Sequence, residues 1–159
     1  MKLLRSVNTV TEKVSEWIMF LFALIMVLSC FAQICTRLAG IPLSWSEELA
    51  RYMAVWLTFI GAAYALRKGT LATVEIMYNS LKGVNKKILF VVISVLIIAF
   101  SIILIKFGLD FSLKFMGQKS PAMQIPKGLV YLSAPVTGVL MLMYQMEILF
   151  DNIFKKEAE

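Results

Sequence analysis

The chain has 159 residues, 60% of them hydrophobic and only 16% charged, with a mean hydropathy of +0.81. Soluble domains run nearer about 45–50% apolar, so most of this chain belongs in lipid, and its net charge of +6 reports topology and headgroup contact rather than nucleic acid. It has no histidine, which removes the commonest metal ligand, haem ligand and general base together.

Residues 1–16 come first. Leu3, Val7, Val10, Val14 and Trp17 step by four and three, while Lys2, Arg5, Glu12 and Lys13 lie elsewhere. This predicts an amphipathic helix on the membrane surface that turns into the first span. Uncharged runs over Trp17–Thr36, Ile88–Ile105 and Gly128–Met146, and the run Leu49–Leu66 with Arg51 as its only charge, mark spans at about 17–36, 88–106, 128–150 and 48–66. Each approaches the ~20 residues that cross ~30 Å of hydrocarbon. Lipid admits only helices or closed barrels, and the short alternating segments of a barrel are absent. The fold class is therefore all-α integral membrane, a single four-span domain over 1–159 with added amphipathic surface helices. Span one is too long, and starts too far in, for a cleaved signal peptide.

Between spans two and three, Leu71, Val74, Met77, Tyr78 and Leu81 share one face opposite Glu75, Asn79 and Lys82, which predicts a second surface helix. After span three, Lys106, Asp110 and Lys114 keep four-residue spacing, as do Phe107, Phe111 and Phe115. The third helix should thus run on to Met116 and stop at Gly117. Pro135, near Gly138, should kink the fourth span. Ten lysines and arginines fall with the two termini and the second connection, against six on the other side. Both termini are therefore expected in the cytoplasm.

Chemistry is sparse. The middles of the spans lack Asp, Glu, Lys and Arg, so no proton relay or ion site is offered there. Ser29, Thr58, Ser94, Ser101, Ser133 and Thr137 should bond their own backbone or pack between helices. Cys30 and Cys35 form no CxxC pair and read as small apolar residues. No metal cluster, nucleophile–base pair or phosphate loop is visible, so an enzyme is not expected, and no cofactor is expected either.

The lip of span two stands out. Ser44-Trp45-Ser46-Glu47 has the form of a capping box. Glu47 and Glu48 would complement the helix dipole, and Arg51 lies within reach of both. That describes a capped, self-paired helix start; the functional alternative is a partner contact at this rim.

The same stretch, "WSEELARYMAVWLTFIGAAYALRKG", resembles the second-span motif of the small membrane subunit of tripartite ATP-independent periplasmic (TRAP) transporters, the DctQ family. The matching positions are Trp45, Ser46, Glu47, Glu48, Arg51, Tyr52, Trp56, Gly61, Ala62, Ala63, Arg67, Lys68 and Gly69. A second segment, "SPAMQIPKGLVYLSAPVTG", is similar through Ser120, Pro121, Ala122, Ile125, Pro126, Tyr131, Pro135 and Gly138. One departure follows the basic pair: Leu71 stands where the family usually has histidine, and Val74-Glu75 stands for its acidic pair.

The resemblance implies an accessory subunit of the bacterial inner membrane. It would scaffold a large, elevator-type DctM-like subunit that binds the sodium ions and carries organic acids such as C4-dicarboxylates or sialic acid. A periplasmic substrate-binding protein and membrane lipids would be the other partners, with no nucleic acid. Trp45, Glu47, Glu48, Arg51, Tyr52, Trp56, Arg67, Lys68, Glu75, Pro126, Tyr131 and Pro135 are then candidates for a partner interface or a structural motif. Lys114, Lys119 and Lys127 form a candidate periplasmic rim for docking an acidic binding protein, the plain alternative being a solvated edge. The competing class is a small autonomous membrane transporter or membrane enzyme.

Overall fold

The computed structural model describes residues 2–41, 43–69 and 84–154. It contains helices α1 (Lys2–Leu38), α2 (Ser44–Lys68), α3 (Val84–Phe115), the single turn α4 (Gly128–Tyr131) and α5 (Ser133–Phe154). Four of the helical segments are long and apolar enough to cross a membrane, the fourth being α4 and α5 together. The expected second surface helix, with Glu75, lies outside the described residues.

The N-terminal segment is not a separate element. Neither Gly nor Pro interrupts residues 2–38, so α1 continues unbroken for 37 residues, about 55 Å at 1.5 Å per residue. Its valine stripe (Val7, Val10, Val14) is exposed, whereas Asn8 and Ser15 on the opposite face are buried against the rest of the protein. Gly40, at φ 78°, closes the helix: Ile41 N–H returns to the Thr36 carbonyl at 2.9 Å, a Schellman-type end. Gly69, at φ 67°, ends α2 in the same left-handed conformation, behind Arg67 and Lys68 in the last turn, where cations suit the helix dipole.

α3 ends at Phe115, one residue short of the expected Met116. The fourth span is interrupted at Leu132, in the turn before Pro135, where the proline ring and missing N–H disturb the helix.

The long helices follow one another in a row. α1 packs on α2, α2 on α5, and α5 on α3, with a smaller contact between α1 and α5 at the Asn8 end; among the described residues α3 touches neither α1 nor α2. A row exposes two broad faces, so the buried apolar set is small (Ile60, Ala63, Leu66 and Tyr144), while Trp17, Phe20, Phe31, Val95, Leu96 and Phe107 point outward. In lipid such exposure costs nothing, and helices associate instead through small and polar contacts. The α3–α5 seam shows this. A Cβ on Gly128 would lie 2.4 Å from the Ser112 carbonyl oxygen, and one on Gly138 would lie 2.8 Å from that of Ser101. Ser112 Oγ donates to the Gly128 carbonyl at 2.9 Å, and Gln145 Nε2 donates to Ser94 Oγ at 2.9 Å.

The in-span hydroxyls behave largely as expected. Ser29, Thr58, Ser101 and Ser133 donate to carbonyls three or four residues back, at 2.7–2.8 Å. Ser94 instead bridges helices.

Candidate functional site

Two polar clusters lie at opposite ends of the long helices, one at the start of α2 and one at its end. The first lies where α2 begins. The N-cap is Leu43, with no side-chain capping bond. Ser44 is already helical, so the capping box expected from Ser44 to Glu47 does not form; Ser46 Oγ donates instead to the Leu43 carbonyl at 2.8 Å. Arg51 reaches only one of its two expected partners. It meets Glu47 at 3.8 Å, with both side chains more than 60% exposed, a pair that contributes little.

Glu48 is engaged elsewhere. Its Oε2 accepts the backbone N–H groups of Ala122 and Met123, each at 3.0 Å, and its Oε1 accepts the Tyr52 hydroxyl. One carboxylate thus clamps the loop between α3 and α4 onto α2. Within that loop Ser120 N–H donates to the Ile125 carbonyl at 2.9 Å, and Lys119 bridges Pro126. Gln124 adopts φ 57° at the tip. Both motif segments of the sequence therefore meet here: "WSEELARY" supplies the acceptor and "SPAMQIP" supplies the donors. Neighbours in the chain could suggest only the i,i+3 and i,i+4 partners of Glu48; its main partners are 74 and 75 residues away.

The second cluster joins α1, α2 and α5 at the end where α1 begins and α5 finishes. Arg67 sits 2.7 Å from Glu147 and 3.4 Å from Glu12, with its guanidinium carbon 5.7 Å from the Tyr144 ring centroid. Lys68 pairs with Glu12 and lies 3.9 Å from Glu16, whose carboxylate also accepts the Tyr64 hydroxyl at 2.5 Å. Buried Asn8 donates to Glu147 and, at 3.3 Å, to the Met143 carbonyl. Only Arg67 and Lys68 of this staple were candidates from sequence. Asn8, Glu12 and Ser15 do carry a signal, a polar stripe at steps of four and three opposite the valines.

The remaining candidates separate by direction. Trp56 faces inward, its ring 6.2 Å from that of Phe22. Pro135 packs on Gly108, where a Cβ would come within 2.7 Å of the proline ring. Tyr131 lies 5.2 Å from Phe115 and 6.4 Å from Phe111, centroid to centroid. Trp45, Glu47 and Arg51 face outward, as do Lys114 and Lys119. Lys127 does not share their direction: it is half-buried and lines a cleft beside α2. Cys30 and Cys35 are free and exposed. Among the described residues no His, Cys, Asp or Glu group is placed to hold a metal. The clusters hold helices and a loop together; neither combines a nucleophile with a base.

The comparisons with known proteins agree with this reading. The family profile "Tripartite ATP-independent periplasmic transporters, DctQ component" matches residues 26–155. The C4-dicarboxylate TRAP transporter small permease protein DctQ of Rhodobacter capsulatus is 29% identical over 117 residues, which cover 72% of this chain and 52% of that protein. The chain thus spans about half the length of that relative. The ectoine TRAP transporter small permease protein TeaB of Halomonas elongata is 26% identical over 144 residues, covering 86% of this chain and 75% of the relative. The isethionate TRAP transporter permease protein DctMQ of Oleidesulfovibrio alaskensis is 28% identical over 104 residues, 61% of this chain but 16% of that protein. A multi-pass membrane protein held by two polar clusters, the chain belongs to the DctQ component family of tripartite ATP-independent periplasmic transporters, a family of transporter permease subunits and not of enzymes.

Proposed function

We propose that this chain is the accessory, scaffold-forming small subunit of a sodium-driven importer of organic acids. It would pack against a large elevator-type membrane subunit in the bacterial inner membrane, with both termini in the cytoplasm. The observation that carries the reading is the single row of helices. Among the described residues the row encloses no path, and its charged groups gather at the two ends of the helices rather than at mid-membrane, where carriers place their sites. Its broad apolar faces suit lipid on one side and a large helical partner on the other. The DctMQ relative, whose name joins both letters and of which this chain matches 16%, supports a large partner. The relatives' names mention C4-dicarboxylate, isethionate and ectoine, which supports leaving substrate choice to the other subunits. Exposed Lys114 and Lys119 would offer an acidic periplasmic binding protein a docking rim; neutralising both should weaken its binding.

Reconstitution tests the reading. Proteoliposomes with the large subunit, this chain and the binding protein should take up an organic acid on a sodium gradient, and those with this chain alone should not. Sodium-driven uptake by this chain alone would overturn the accessory role and favour an autonomous transporter.

A further inference from the structure

A cleft of about 760 Å³ opens between α2 and the α4–α5 segment at the Ser44 end. Arg51, Lys127 and Glu47 stand at its lip, and Val55, Phe59 and Ala134 line its walls. The lip offers positive charge not already committed. Arg51 has only the 3.8 Å contact to exposed Glu47. Lys127, half-buried beside apolar walls, has no carboxylate within ion-pair distance among the described residues. Glu48, also at the cleft, is occupied by the loop N–H groups.

The length of the cleft selects the occupant. From Ser44 to Phe59 is 15 residues, about 22 Å along α2. One leaflet contributes about 15 Å of hydrocarbon, so the cleft spans a headgroup and most of an acyl chain. A small soluble anion would satisfy the lip and leave the walls unfilled; a purely apolar molecule would leave Lys127 without a counter-charge and Arg51 with only its exposed contact to Glu47. We propose that the cleft seats one phospholipid of the adjoining leaflet, its phosphate between Arg51 and Lys127 and an acyl chain along Val55, Phe59 and Ala134. Arginine and lysine are the natural donors to a phosphodiester. The seat lies within this chain and needs no large subunit, so it is testable apart from the accessory role.

The test uses the full chain in detergent, delipidated and then offered either dioleoyl phosphatidylglycerol or dioleoylglycerol, with bound lipid counted by native mass spectrometry. Retention of the phospholipid should exceed that of dioleoylglycerol by about tenfold or more. Arg51→Gln with Lys127→Gln should remove most of that preference, and Lys127→Gln alone part of it, with the helical circular dichroism unchanged. Equal retention of the two lipids, or an undiminished preference in the double variant, would overturn the proposal. In intact membranes, Val55→benzoylphenylalanine should photocrosslink to phospholipid; crosslinking to polypeptide alone would assign the cleft to a protein partner and likewise overturn it.

Discussion

Arg67→Met tests whether the three-helix staple stabilises the fold. Arg67 and Glu147 approach to 2.7 Å, with 17% and 7% of their side chains exposed. Removing the cation leaves Glu147 buried with Asn8 as its side-chain donor and takes one of two cations from Glu12. Breaking a buried pair from one side costs about 3–5 kcal/mol. The residual exposure of Arg67 places this pair at the low end, about 3 kcal/mol, or roughly a 150-fold rise in the unfolding constant. For a chain of this size that is a fall in Tm of about 6–12 °C. Arg67→Met combined with Glu147→Leu leaves no unpaired charge from this contact and should recover at least half of the loss, a coupling of about 1.5 kcal/mol or more. The assay is thermal and SDS-induced unfolding of the full chain in micelles, followed by circular dichroism. A stability change below about 0.5 kcal/mol for Arg67→Met, or equal losses in the single and double variants, would refute the reasoning.

Further expectations concern the seam and the loop. Gly128→Ala and Gly138→Ala push a methyl to within 2.4 and 2.8 Å of carbonyl oxygens and should each cost about 1–3 kcal/mol. Gly61→Ala meets only Met19 Sδ at 3.8 Å and should be neutral or stabilising by up to about 1 kcal/mol; the same unfolding assay ranks the three, and a reversed order would dispose of the packing argument. Glu48→Gln should speed hydrogen exchange at Ala122 and Met123, whose N–H groups it holds, while Glu47→Gln should leave both unchanged. Matching exchange in the two variants would mean that the loop holds itself in place.

Much of this protein was legible in its sequence because lipid is a severe filter. A charge in hydrocarbon is costly and every backbone polar group must be paired within the segment, so uncharged runs near 20 residues announce helices whatever surrounds them. Pro135 marks a break by local backbone chemistry, and the helix is interrupted at Leu132, in the turn before it. The motif residues were visible too. Their roles were not, because those roles depend on groups far away in the chain. Glu48 has Arg51 and Tyr52 as near neighbours, yet its carboxylate is spent on N–H groups 74 and 75 residues on.

The first sixteen residues show the same limit. Their apolar stripe predicts an amphipathic helix correctly, but periodicity does not say which face is covered. In water the valines would turn in. Beside lipid they face out, and Asn8, Glu12 and Ser15 turn toward Arg67 and Glu147. The sequence by itself thus determined the medium, the four spans and the family. The tertiary structure decided the row-like helix order, the two polar clamps and the cleft, because each depends on which helix lies beside which, and lipid, equally good solvent for every apolar face, leaves that choice to close glycine contacts and a few buried polar pairs.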